Sequence, residues 1–235
     1  MELRFWWNLT TQEISIQRKY YLYKYCLYWK KMSANTTTTS VEYGFSLETS
    51  QICGVFLLLI SMFGLLVYII FIYIVFTKSK FKEKTYFMIA GCLGIADCMC
   101  LLLMIGYATP CLLYRTKLSD SLLLGGILNI GWFSGLPLLT VLAGDRYFCI
   151  CNKELYSKFY SIKLTKIYCV ACWVFGISYS IPSFLACCSI HFDYTLMSWG
   201  WNISLKGAKV LALGEITMVV LVTSFTYLLN GIVFK

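Results

Sequence analysis

The chain has 235 residues, of which 59% are hydrophobic and only 13% charged, with a net charge of +9. Soluble domains carry roughly a quarter charged residues, so a water-soluble fold of this size could not cover its surface. The twelve cysteines do not make a secreted disulfide scaffold, because most lie inside apolar runs where a thiol behaves as a small hydrophobe. No C-x-x-C pair is followed by a second one, and the single histidine is His191, which argues against a zinc site. The basic residues sit in short loops between apolar runs. That is the pattern of cytoplasmic membrane loops, and it argues against a nucleic-acid partner.

Residues 1–51 read as an extracellular tail. Its first 31 residues hold six basic side chains (Arg4, Arg18, Lys19, Lys24, Lys30, Lys31) and many Tyr and Trp, with no apolar run long enough to span. Two readings stay open: an interfacial amphipathic stretch, or translation starting at Met32. From Met32 to Gln51 there is no Lys or Arg, while Glu42 and Glu48 are present; that segment would cross a bilayer easily. No cleavable signal peptide of the usual form precedes it, so the first apolar run serves as signal anchor.

Five apolar runs follow, Ile52 to Phe76, Thr85 to Leu113, Ser121 to Gly144, Ile167 to Ala186 and Ala208 to Phe234. Each has the ~20 residues that cross a hydrocarbon core. Hardly a charge lies inside them, which argues against buried helices of a soluble core. The expected fold is an all-α transmembrane bundle whose successive helices run antiparallel across short loops, a domain occupying 52–235.

Lys78, Lys80, Lys82 and Lys84 follow the first run. Arg146, Lys153, Lys158, Lys163 and Lys166 follow the third, and Lys235 the fifth; the other side carries Arg115, Lys117, Lys206 and Lys209. Ten basic residues against four place the first loop, the third loop and the C-terminus in the cytoplasm, and the N-terminus outside. The sequons at Asn8, Asn35 and Asn202 all fall on the outer side, so Asn35 and Asn202 are expected glycosylation sites.

Asp97 lies near the middle of the second run. A carboxylate there costs ~2.5–3.5 kcal/mol on insertion scales and must face the bundle interior or a wet cavity, which favours a functional acid over a structural one. Glu215, about two turns into the fifth run, either snorkels to the interface or lines a ligand pocket. Asn129 and Trp132 share a helix face and are candidates for the same cavity, with packing the simpler account of Trp132. Gly131 and Gly135 form a small-xxx-small pair that reads as close helix packing. Asp145-Arg146-Tyr147 closes the third run. An arginine there serves either as a positive-inside anchor or as a two-state element where a cytoplasmic protein binds.

The order of L-G-I-A-D ending at Asp97, D-R-Y at 145–147, Trp173 and then Pro182 resembles rhodopsin-like seven-helix G-protein-coupled receptors over Ile52 to Phe234, the part corresponding to the first five helices. The stretches W-F-S-G-L-P-L-L-T-V-L-A-G-D-R-Y and C-C-S-I-H-F-D-Y-T-L-M-S-W-G-W resemble nematode serpentine chemoreceptors of class x. The resemblance implies that Asp97 is the activation-linked acid, that Arg146 is the switch facing a heterotrimeric G protein with Asp145 as its resting partner, and that Trp173 and Pro182 are structural.

The sequence also departs from the pattern. The first run has no Asn to contact Asp97. Ser121 stands where the usual cysteine at the top of helix three would be, so Cys187 and Cys188 lack that partner and Cys111 is the substitute. Leu128 occupies the aminergic acid position, which argues against an amine ligand. The fifth run has no proline, and nothing up to Lys235 corresponds to helices six and seven. The resulting expectation is a multi-pass plasma-membrane chemosensory receptor for an extracellular small molecule, incomplete here and silent on its own, with no cofactor and no enzymatic site. The competing class is a non-signalling truncated membrane protein or an assembly partner of other receptors.

Overall fold

The computed structural model describes residues 46–114, 122–193, 198–201 and 206–233, all within the unit Phe45–Lys235. The tail up to residue 45, with Asn8 and Asn35, lies outside the described residues, as do Ser121 and Asn202. Among the described residues, five helices are long and apolar enough to cross a membrane: Leu47–Thr77, Thr85–Tyr114, Leu123–Cys151, Ile162–Phe184 and Gly207–Ile232. They are called the first to fifth spans below.

The first and fourth spans start where the chain supplies a side-chain cap. Ser46 Oγ accepts from Thr49 N (3.2 Å) ahead of the first span. Ser161 Oγ accepts from Leu164 N (3.3 Å) ahead of the fourth. Such side-chain oxygens satisfy amide groups that have no partner in a helix's first turn. The fourth span therefore begins at Ile162, five residues before its apolar run, because capping and not hydropathy sets where the helix starts. The third continues to Cys151, so Asp145, Arg146 and Tyr147 lie inside a helix and not at its end. In the second span, Met104–Ala108 forms a widened turn. Pro110 follows it, and a proline ring cannot sit against the carbonyl four residues earlier, at Gly106. Thr109 Oγ1 bonds the Met104 carbonyl at 2.9 Å across the widened turn.

The third span is the hub, packing against the second, fourth and fifth, while the first packs on the second. Some 56% of its apolar window is buried, against 6% of the first span's and 11% of the fifth's. The first and fifth spans turn Phe56, Ile60, Phe63, Ile70, Leu213, Leu221 and Phe225 outward. A helix that is apolar all round is solvated by lipid on its outer face. Close approach comes from small residues. A Cβ on Gly131 would meet the Ala96 carbonyl oxygen of the second span at 3.0 Å, whereas on Gly135 its nearest neighbour would be Leu93 Cδ1 at an ordinary 3.6 Å. The tightest approach is at Gly176 of the fourth span, where a Cβ would run into Ser134.

Between the fourth and fifth spans lies a two-stranded antiparallel hairpin, Ile190–Asp193 (β1) and Ser198–Trp201 (β2), with Ile190 opposite Trp201 and Phe192 opposite Trp199. Those four side chains are all buried, the alternation expected of strands with one covered face. Phe192 and Trp199 pack with Tyr107, Ala108, Cys111, Leu112 and Leu128. Ile190 and Trp201 pack with Phe133, Leu136 and Ala208. The hairpin thus closes one end of the bundle.

Candidate functional site

At the end of the bundle away from the hairpin, two consecutive residues of the second span hold two consecutive residues of the third. Thr85 Oγ1 donates to Asp145 Oδ1 at 2.6 Å. The Arg146 guanidinium donates to the Tyr86 hydroxyl, with its Cζ 4.6 Å from the centre of that ring. Asp145 is only 3% exposed. A third group comes from the short helix Lys153–Phe159, which Asn152 caps through Leu155 N at 3.1 Å. Its Tyr156 hydroxyl lies 2.7 Å from Thr85 Oγ1 and 3.4 Å from Asp145 Oδ1.

An ionised carboxylate only accepts. Thr85 therefore gives its proton to Asp145, and Tyr156 gives its own to Thr85 as the shorter of its two contacts. Burial is the main cause raising the Tyr156 pKa above the ordinary tyrosine value, which keeps the hydroxyl protonated as a donor. Tyr160 stacks on Tyr156 at 5.6 Å and donates to the Val141 carbonyl at 3.2 Å, locking the loop helix to the third span. Tyr147 is half-buried against Phe148. The residues expected as a switch are thus brought together, with the carboxylate and the guanidinium each given a partner on the second span. Thr85, Tyr86 and Tyr156 were not legible as members of the site. They carry no motif; Thr85 and Tyr86 each lie 60 residues before the side chain they hold, and Tyr156 lies eleven residues after Asp145.

At the hairpin end, Glu215 is 7% exposed and its Oε2 accepts from Trp201 Nε1 at 2.6 Å. Glu215 is therefore buried against the hairpin. The bond links the hairpin to the fifth span. Tyr179 reaches the same place from the fourth span, its hydroxyl over Gly214, its ring 4.3 Å from that of Phe133. Asn129 is also buried and donates from Nδ2 to Ser183 Oγ at 2.6 Å, tying the third span to the end of the fourth. Trp132 is half-buried and packs, like Tyr179 and Met218, against the cluster around Phe133. Asn129, Trp132 and Glu215 each tie into the hairpin half of the bundle through different partners. Trp201 joins them; its alternation with Trp199 was the available signal.

Asp97 is half-buried midway along the second span, next to Ala96, whose carbonyl touches Gly131. Cys111 is buried under the hairpin near Trp199 and Phe192. Cys187 and Cys188 follow the end of the fourth span, and their sulfurs lie 3.0 Å from each other.

The fold is that of rhodopsins. The structure superposes on squid rhodopsin with a TM-score of 0.69 at 14% identity, covering 81% of this chain. The chain spans 56% of the length of that protein. No curated protein matches the sequence. The family model described as serpentine type 7TM GPCR chemoreceptor Srx matches residues 58–235. The family is one of membrane receptors. With the family model covering all five spans except the start of the first, this chain belongs to the serpentine seven-helix G-protein-coupled chemoreceptors of the Srx family.

Proposed function

We propose that the chain is a chemosensory receptor of the plasma membrane, with its N-terminus outside, that senses an extracellular small molecule and signals to a heterotrimeric G protein. The observation that carries this reading is the pairing of Thr85 and Tyr86 with Asp145 and Arg146. Arg146 donates to the Tyr86 hydroxyl and lies over that ring, contacts that are each of modest strength. Trading these contacts for a partner's backbone carbonyls suits a two-state element. The hairpin end supplies the sensing side. The Trp201–Glu215 bond there joins a surface hairpin to a spanning helix, and a ligand that competes for either group would shift one against the other. In the loops and C-terminus, ten basic residues on the Arg146 side against four on the hairpin side, leaving aside the six among residues 1–31, support the orientation.

The test is ligand-stimulated nucleotide exchange on G proteins in membranes from cells expressing the receptor, over a panel of small molecules. A ligand response that Arg146→Ala removes at equal surface amount supports the reading. An unchanged response in that variant overturns it.

A further inference from the structure

The region where the fourth span gives way to the hairpin contains two adjacent cysteines, and neither the ligand site nor the Arg146 switch uses them. Cys187 and Cys188 sit in a single 3₁₀ turn, Ala186–Cys188, with sulfurs 3.0 Å apart. That is inside the roughly 3.5–4.0 Å at which even the smaller carbon atoms settle against one another. Closing it to a bond needs about 1 Å of movement, since a disulfide measures ~2.03–2.05 Å. Cys187 is exposed and Cys188 buried. A Cβ on Gly207, at the start of the fifth span, would come within 2.6 Å of the Cys188 sulfur. The glycine therefore leaves the sulfur its room, and the thiol pair touches the helix that carries Glu215 about two turns further on.

We propose that Cys187 and Cys188 form a reversible vicinal disulfide, a redox-sensitive site at the root of the hairpin. This rests on the orientation proposed above, which puts the pair on the oxidising side of the membrane. In the reaction, the two thiols lose two protons and two electrons and one S–S bond forms. The electrons pass to a disulfide of the thiol–disulfide exchange class, which leaves as two thiols. Reversibility follows from adjacency. Neighbouring Cα atoms stand ~3.8 Å apart across a trans peptide, short of the usual ~4.4–6.8 Å for bridged cysteines, and such departures make the bond easier to reduce. Strained, exposed disulfides are the labile ones. Breaking the bond frees Cys188 to settle differently against Gly207, so the redox state of the pair reaches the fifth span through a direct contact.

The experiment is peptide mapping of the full chain, purified from cells whose thiols are alkylated at lysis. The expected peptide holds Cys187 and Cys188 unalkylated and two hydrogens lighter than the dithiol. Graded glutathione should open it at concentrations that leave the disulfides of a secreted reference protein in the same tube intact. The variants Cys187→Ser and Cys188→Ser should each leave the remaining cysteine fully alkylated. Both thiols alkylated in the parent, a link from either one to Cys111 or another cysteine, or a bond as resistant as the reference overturns the proposal. A glycan on Asn202 reports the orientation separately, so a wrong orientation and a wrong pairing give different patterns.

Discussion

Thr85 donates a hydrogen bond to Asp145 while its neighbour Tyr86 carries Arg146, so adjacent residues of one helix divide the acid and the base of another between them. The carboxylate is buried, and its main donor is a side chain only one methyl group from being apolar. Thr85→Val keeps the shape and removes the donor. Losing a bond to a buried charged group costs ~1.5–3 kcal/mol, about a tenfold shift or more in a two-state equilibrium. Unliganded nucleotide exchange should therefore rise by roughly that factor, and Thr85→Ser should behave as the parent. Equal basal exchange in Thr85→Val and parent, at matched surface amounts, would show that this bond does not hold the resting state.

Arg146 acts as a switch if its loss removes signalling without removing the protein. Arg146→Ala should abolish ligand-stimulated exchange and leave surface expression largely intact, because the helix around it continues to Cys151 and Lys153 and Lys158 still anchor that side. Tyr86→Leu removes both the hydroxyl and the ring face, worth ~0.5–2 kcal/mol to a cation. It should raise basal exchange severalfold, the opposite sign from Arg146→Ala. Two variants of the same sign would contradict a resting contact between these residues.

Orientation is decided by sugar. Asn35 and Asn202 each stand in a sequon on the side whose loops carry fewer basic residues. A glycosidase should shift the mobility of the chain in two steps, one lost in Asn35→Gln and the other in Asn202→Gln. An epitope after Lys235 that antibody reaches on unpermeabilised cells would invert the topology.

Much of this fold is written in the sequence, because a bilayer forces every spanning segment to be both helical and apolar. Five runs of ~20 apolar residues admit little else, and the helices exceed the runs where Ser46 and Ser161 cap them further out and where the third continues to Cys151. Sites are legible only in part, because a motif names one partner and packing chooses the other. Asp145 and Arg146 stand out by type and position, whereas Thr85, Tyr86 and Tyr156 are ordinary residues until the helices meet. Of the Gly131–Gly135 pair only Gly131 makes a close approach, and the tighter one, at Gly176, depends on where the fourth span meets Ser134. The hairpin was hidden by brevity. Its strands have four residues each, so the alternation of Trp199 with Trp201 is a signal too short to distinguish a strand from its apolar neighbours.

The bond between Trp201 and Glu215 holds the hairpin to the fifth span. Trp201→Phe keeps an aromatic ring in the cluster with Phe133 and Ala208 and leaves a buried carboxylate short of a donor. The expected loss is ~1–3 kcal/mol, read as a lower melting temperature of the detergent-solubilised protein. Combining it with Glu215→Gln should recover part of that loss, since a neutral amide is cheaper to bury than a carboxylate. Melting unchanged in Trp201→Phe would mean that water already serves Glu215.

The closest packing between spans gives the sharpest test of the architecture. At Gly176 an added Cβ would fall on Ser134 Oγ and stand 2.6 Å from the Ser134 backbone nitrogen and 2.9 Å from its Cα. A side chain can rotate away, but the backbone of the third span can give way only by moving the helix. Overpacking of this kind costs ~1–3 kcal/mol, and in this position it pushes the fourth span off the hub of the bundle. Gly176→Ala should therefore lower the melting temperature and the yield of folded protein. Adding Ser134→Ala, which removes only the hydroxyl, should not restore either. Gly135→Ala is the control: its new methyl would meet Leu93 at an ordinary 3.6 Å. Replacing a helical glycine by alanine gains ~0.5–1 kcal/mol where there is room, so that variant should melt at or above the parent. If Gly176→Ala is tolerated as well as Gly135→Ala, or if Ser134→Ala rescues it fully, then the third and fourth spans do not meet backbone to backbone at this point.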